Sequence, residues 1–124
     1  MKNIVVVFLG GGVGAALRYW LSGFVYRLFG TGFPYGTMAV NATGCLLIGI
    51  LLAISEERFS WGPGVRVFLS IGLLGGFTTF STFSYETIAM VREGSFLAAG
   101  VNALGSLVLC LCATWAGWQL GRMV

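Results

Sequence analysis

Four long apolar stretches constrain this chain more than anything else in it. Ile4–Phe29, Thr37–Ile54, Val65–Met90 and Phe96–Leu120 are each long enough, and poor enough in charge, to be read as a membrane-crossing helix. About 20 helical residues span the hydrocarbon core of a bilayer. Composition agrees: 57% of the 124 residues are hydrophobic and 9% are charged, whereas a soluble domain carries about 25% charged residues. No polar coat remains for a water-facing surface. The expected fold is all-α, an integral membrane protein of four transmembrane helices forming one membrane domain over residues 1–124.

Lys2 followed by an apolar run has the outline of a signal peptide, but no small-residue cleavage site follows and three more spans do, so it reads as the first helix. The connections carry breakers and charge: Gly30, Gly32 and Pro34 in the first, Ser55–Gly64 with Glu56, Glu57, Arg58 and Pro63 in the second, and Arg92, Glu93 and Gly94 in the third. Trp20, Tyr26, Tyr35, Trp61 and Trp118 fall near span ends, at the headgroup depth that amphipathic rings prefer.

Several function classes drop out on composition. The net charge of +3 is scattered, so there is no basic face for nucleic acid. With no His and four acidic residues, three of them at membrane edges, hydrolytic or redox catalysis has little to work with, and the chain is not read as an enzyme. Cys45, Cys110 and Cys112 lie inside spans. Cys110 and Cys112 are two apart and point to different sides of a helix, so no metal site is expected of them, and all three cysteines read as buried bystanders. The run Gly10-Gly11-Gly12-Val13-Gly14 lacks the preceding strand that a nucleotide-binding loop requires. Gly10 and Gly14, Gly44 and Gly49, and Gly100 and Gly105 instead read as close helix–helix packing in lipid.

Orientation is weakly encoded. Lys2, Arg58, Arg66 and Arg122 lie on the side of the termini, Arg27 and Arg92 on the other, and Arg18 within the first span. That bias is slight for a rule that works by loop asymmetry. It leaves two readings open, a single fixed orientation or insertion both ways round, with an antiparallel homodimer as the consequence of the second.

Polar groups inside spans are the functional candidates, since burying them costs several kcal/mol unless they are paired or wet. Arg18 either snorkels to the interface or faces an aqueous vestibule, where it would concentrate anions. Asn41 brings amide donors and an acceptor into the second span. The third span reads Gly75-Gly76-Phe77-Thr78-Thr79-Phe80-Ser81-Thr82-Phe83-Ser84, a poor helix interior, and a break is expected at Gly75–Thr78. Broken backbone at this depth is tolerated only where it is buried in protein or lines water, and its freed carbonyls suit a hard cation. Phe80 and Phe83 share a helical face with Glu86, and Ser81, Thr82 and Ser84 add hydroxyls. Ring edges are positive, so edge-on phenylalanines attract an anion without holding it. Conduction needs that compromise. Asn102, Ser106 and Cys110 recur every four residues in the fourth span and so form a polar line.

These residues together resemble the Fluc/CrcB family of fluoride channels, over essentially the whole chain: the Gly-rich first helix with Arg18, Gly36-Thr37 through Asn41 to Gly44, the run from Gly75 to Ser84, and Gly105-Ser106. The resemblance implies an antiparallel, dual-topology homodimer with two fluoride pores in the cell membrane, passively exporting cytoplasmic fluoride. It implies that Phe80 and Phe83 line the pore with Ser81 and Thr82 beside them, that Asn41 closes the vestibule, and that Ser106 lies on a polar track. It also implies Arg18 and Glu86 at the vestibule, and a structural Na⁺ held by main-chain oxygens of Gly75 and Thr78. Cys110 departs from the hydroxyl residue expected on that track, and a carboxylate at Glu86 should repel an anion unless it is paired or protonated. Two rivals remain. A small multidrug exporter has four helices but depends on a first-span glutamate, where this chain has Arg18 and no acid. A non-transporting subunit of a membrane complex would leave the hydroxyls of the third span unexplained.

Overall fold

The computed structural model describes residues 1–57 and 60–124, with the backbone alone at Glu57. Arg58, counted above with the charges on the side of the termini, lies outside the described residues. Among the described residues there are four helical spans, Lys2–Phe29, Tyr35–Glu57, Pro63–Arg92 and Phe96–Met123. All four are long and apolar enough to cross a membrane. Each exceeds the apolar core read from the sequence because polar end residues such as Lys2, Arg92 and Arg122 still take part in the terminal turns.

Most large apolar side chains, among them Phe8, Trp20, Leu97, Leu104 and Leu111, point outward. The interior holds small and polar groups, Val40, Ala53, Ala99, Thr37, Thr79, Asn102 and Ser106, together with two large apolar side chains, Leu74 and Phe77, just before the break in the third span. That inversion is expected where lipid replaces water, because close backbone approach and hydrogen bonds hold helices together there.

The fourth span lies along the second, and the first span along the first half of the third. Gly14 meets the backbone of Leu73 and Phe77, and Gly49 meets the backbone of Thr114, so tightly that a Cβ at either position would overlap the neighbouring chain. Gly10 and Gly44 also pack closely, as expected. Gly100 and Gly105 do not: Gly100 has open space around it, and Gly105 reaches only the Met38 side chain. The close approach in the fourth span comes instead at Gly117 and Gly121, against Leu46, Ile50 and Ala53.

The third span is not one helix. It runs through Pro63–Arg66, a wider π-helical stretch Val67–Leu74, and a last turn Gly75–Phe77. Thr78 and Thr79 are then extended (φ −82°, ψ 158° and φ −149°, ψ 110°) before Phe80–Arg92 resumes as an α-helix. The break therefore falls one step later than the sequence suggested. The two glycines stay helical and the threonines carry the extended backbone, because their hydroxyls can replace the lost bonds.

Candidate functional site: a broken helix between two cavities

Breaking a helix orphans the N–H groups that follow the break and the C=O groups that precede it. Several of them have new partners here. The Thr79 N–H donates to Asn41 Oδ1 at 2.8 Å, and Asn41 Nδ2 donates to the Thr79 carbonyl at 3.0 Å. One side-chain amide thus holds both polar groups of a single extended residue. Thr79 Oγ1 caps the helix that follows by accepting from the Thr82 N–H at 3.2 Å, and it donates to Thr82 Oγ1 at 2.9 Å. Thr78 Oγ1 donates back to the Leu74 carbonyl at 3.0 Å.

Two of the carbonyls that the break frees can be traced to these exchanges. In an unbroken helix the Thr79 N–H would serve Gly75, and the Thr82 N–H would serve Thr78. Both donors are occupied elsewhere. The Thr78 carbonyl accepts instead from Arg18 Nη1, at 3.4 Å.

The break separates two cavities, and buried Thr79 contributes to the wall of each. The larger, about 460 Å³, is lined by Asn41, Phe80, Phe83 and Ser106 together with Gly75, Thr78, Cys45 and Cys110. The second, about 440 Å³, is lined by Arg18, Thr82 and Glu86 with Tyr26 and Thr37. Asn41 and the phenylalanines are therefore brought together, as expected, and so are Arg18 and Glu86. Thr82 belongs with the latter pair rather than with the phenylalanines. Ser81 lines neither cavity; it is exposed, and its hydroxyl lies 3.3 Å from Thr79 Oγ1.

Phe80 and Phe83 contact one another at 5.4 Å between ring centroids, tilted by 46°. Phe83 is partly covered, whereas Phe80 is 79% exposed and stands out from the protomer. Glu86 was expected on their face, but it lines the other cavity, turned toward the first and second spans. There Glu86 Oε1 accepts from Thr37 Oγ1 at 2.8 Å and from Tyr26 OH at 3.3 Å. Its Oε2 is buried without a partner. The Thr37 and Tyr26 contributions were missed from sequence. Tyr26 reads there as an interfacial ring, and only the packing of the first and second spans against the third reveals its acceptor.

The polar line of the fourth span is continuous. Asn102, 1% exposed, donates to Thr87 Oγ1 at 2.9 Å, and Ser106 Oγ donates to Asn102 Oδ1 at 3.4 Å. Ser106 and Cys110 continue it along the larger cavity. The cysteines are less buried than expected. Cys112 is exposed, whereas Cys45 and Cys110 are partly covered, side by side, in the wall of that cavity.

A family model described as CrcB-like protein, Camphor Resistance (CrcB), matches residues 5–118. The chain belongs to the CrcB family. Its CrcB relatives include proteins named fluoride-specific ion channel FluC. That of Citrifermentans bemidjiense is 48% identical over 122 residues, 98% of each chain. That of Geotalea daltonii is 45% identical over 124 residues, the whole of both chains, and that of Geobacter sulfurreducens matches at 45% over the same length. With four membrane-capable helices, this CrcB protein is a multi-pass membrane protein.

Proposed function

We propose that this chain is a fluoride-selective channel that lets fluoride leave the cytoplasm passively, as an antiparallel, dual-topology homodimer with two pores. One observation carries the reading: the Asn41 clamp on Thr79 holds a helix open at mid-span, where lipid would forbid it, with a cavity on either side. The names of its relatives supply the ion.

The proposed path starts in the 440 Å³ cavity. Arg18 brings a positive charge to it, and Glu86 on the same wall is held through Oε1 by Thr37 and Tyr26. Fluoride, small and strongly hydrated, has to exchange water for fixed donors as it passes the break. Asn41 Nδ2, the Thr82 hydroxyl and the ring edges of Phe80 and Phe83 form the succession of donors along the proposed path, and the Ser106 hydroxyl joins them on turning from Asn102. Ser81 acts through the Thr79 hydroxyl that it contacts.

The outward stance of Phe80 supports the second copy. A ring with a pore role belongs against protein, and a partner chain would cover it. The freed carbonyls of Gly75 and Thr78 fit a hard cation such as Na⁺: both are neutral oxygen donors without their helical N–H, and the one contacted by Arg18 keeps a second lone pair. From two copies they would hold a structural ion, whose charge would offset converging carbonyl dipoles.

The test is fluoride efflux from liposomes containing the purified chain, with Asn41→Asp and Phe80→Ile beside it. Asn41→Asp keeps the acceptor for Thr79 but replaces the donor with a negative charge, and Phe80→Ile removes the ring edge. Each is expected to lower efflux tenfold or more while the dimer still assembles. Unchanged efflux from either variant refutes the assignment. A four-helix exporter of cationic drugs, the nearest rival, would show no fluoride efflux at all.

A further inference from the structure

The second and fourth spans run in the same direction, because each begins on the side opposite the termini. Their register is set where Gly49 meets the Thr114 backbone. One helical turn earlier on both helices stand Cys45 and Cys110, and one turn earlier again Asn41 and Ser106, all four lining the 460 Å³ cavity. The same register that aligns the polar donors therefore sets two thiols side by side on the cavity wall.

We propose that Cys45 and Cys110 form a two-coordinate site for a soft, thiophilic divalent metal ion in the wall of this cavity. Thiolates select soft ions. Among the described residues no cluster of three or more His, Cys, Asp or Glu exists, so the four-ligand shell that zinc requires is absent. Two sulfurs alone suit an ion content with linear coordination, of which Hg²⁺ is the type. Binding forms two Sγ–metal bonds and breaks two S–H bonds. Both protons leave through the cavity to water, and no oxidation state changes. The two thiolate charges cancel the charge of a divalent ion, so the product is neutral, as a site surrounded by lipid-embedded helices demands. The bound ion would stand between Asn41 and the far end of the cavity. Blocked efflux is its expected consequence, a step that rests on the channel reading above.

The chain has three cysteines, and exposed Cys112 would bind the probe on its own, so the test uses full-length Cys112→Ser protein. One equivalent of Hg²⁺ per chain is expected to remove both remaining thiols from titration with a thiol reagent, release two protons, and lower fluoride efflux tenfold or more. Dithiothreitol should reverse all three effects. In Cys45→Ser/Cys112→Ser and Cys110→Ser/Cys112→Ser proteins, one equivalent should bind the single remaining thiol and release one proton rather than two. If one equivalent removes only one thiol from the Cys112→Ser protein, and a second equivalent is needed for the other, the shared site is overturned. Two thiols lost with efflux undiminished would keep the metal site and overturn the passage of fluoride along this cavity wall, while loss of all efflux before metal is added would overturn the channel reading instead.

Discussion

At the scale of single residues, the site is governed by what happens to backbone groups that a broken helix leaves over. Asn41 is the clearest case, since its amide answers a donor and an acceptor of Thr79 at once. Thr37 is the less expected one. Its hydroxyl makes the shortest bond to Glu86, whose second oxygen already lacks a partner. Thr37→Val keeps the shape of the side chain and leaves Glu86 with only the longer bond from Tyr26. A carboxylate deprived of a donor in a partly buried setting costs roughly 1–3 kcal/mol. A lowered midpoint in thermal unfolding of the detergent-solubilised protein is the expected result; an unchanged midpoint would mean that water already satisfies Glu86. The residue types at stake were legible in the sequence, because Arg, Asn and Glu inside spans stand out against lipid. Their partners were not. Thr37 and Tyr26 are ordinary in their own helices and become significant only once three spans converge on one carboxylate.

At the scale of elements, glycine decides which helices touch and where. The sequence marks several candidate glycine pairs without ranking them, because spacing on one helix says nothing about which face meets a neighbour. Gly10 and Gly14 pack as their spacing suggests, whereas Gly100 and Gly105 face open space or a flexible side chain, and Gly117 and Gly121 take the contact with the second span. The two sets should behave differently on substitution. Gly117→Val pushes a branched side chain into the Leu46 and Ile50 backbone and should cost about 1–3 kcal/mol or more by overpacking, seen as loss of monodisperse protein on extraction. Gly100→Ala should leave extraction and melting unchanged. Equal behaviour of the two variants would contradict this packing. The break in the third span was likewise legible as a break, but the expected range Gly75–Thr78 takes in two glycines that stay helical and stops short of Thr79. What fixes its position is the pair of threonines, one bonding back to Leu74 and the other capping the helix that begins at Phe80, a distinction that depends on partners in three dimensions.

At the scale of the whole molecule, four spans with small residues inside and large apolar ones outside make a protein whose solvent is lipid. Fold class and span number were readable because hydrophobic length is a local property. The assembly is not local, and rests on two signs: the slight imbalance of Lys and Arg between the two sides and an aromatic ring, Phe80, left standing outside its own protomer. If the chain inserts both ways round, a single cysteine added after Val124 in a cysteine-free background should react with an impermeant maleimide from both faces of the cell membrane, in comparable amounts. Labelling from one face alone would exclude the antiparallel dimer. The central claim is that the two cavities on either side of the Asn41–Thr79 clamp form a path for fluoride, and ion efflux from liposomes holding the purified wild-type chain tests it most directly. Rapid loss of fluoride with chloride retained in the same vesicles is the result the geometry predicts. Retention of both ions, or equal loss of both, would contradict it.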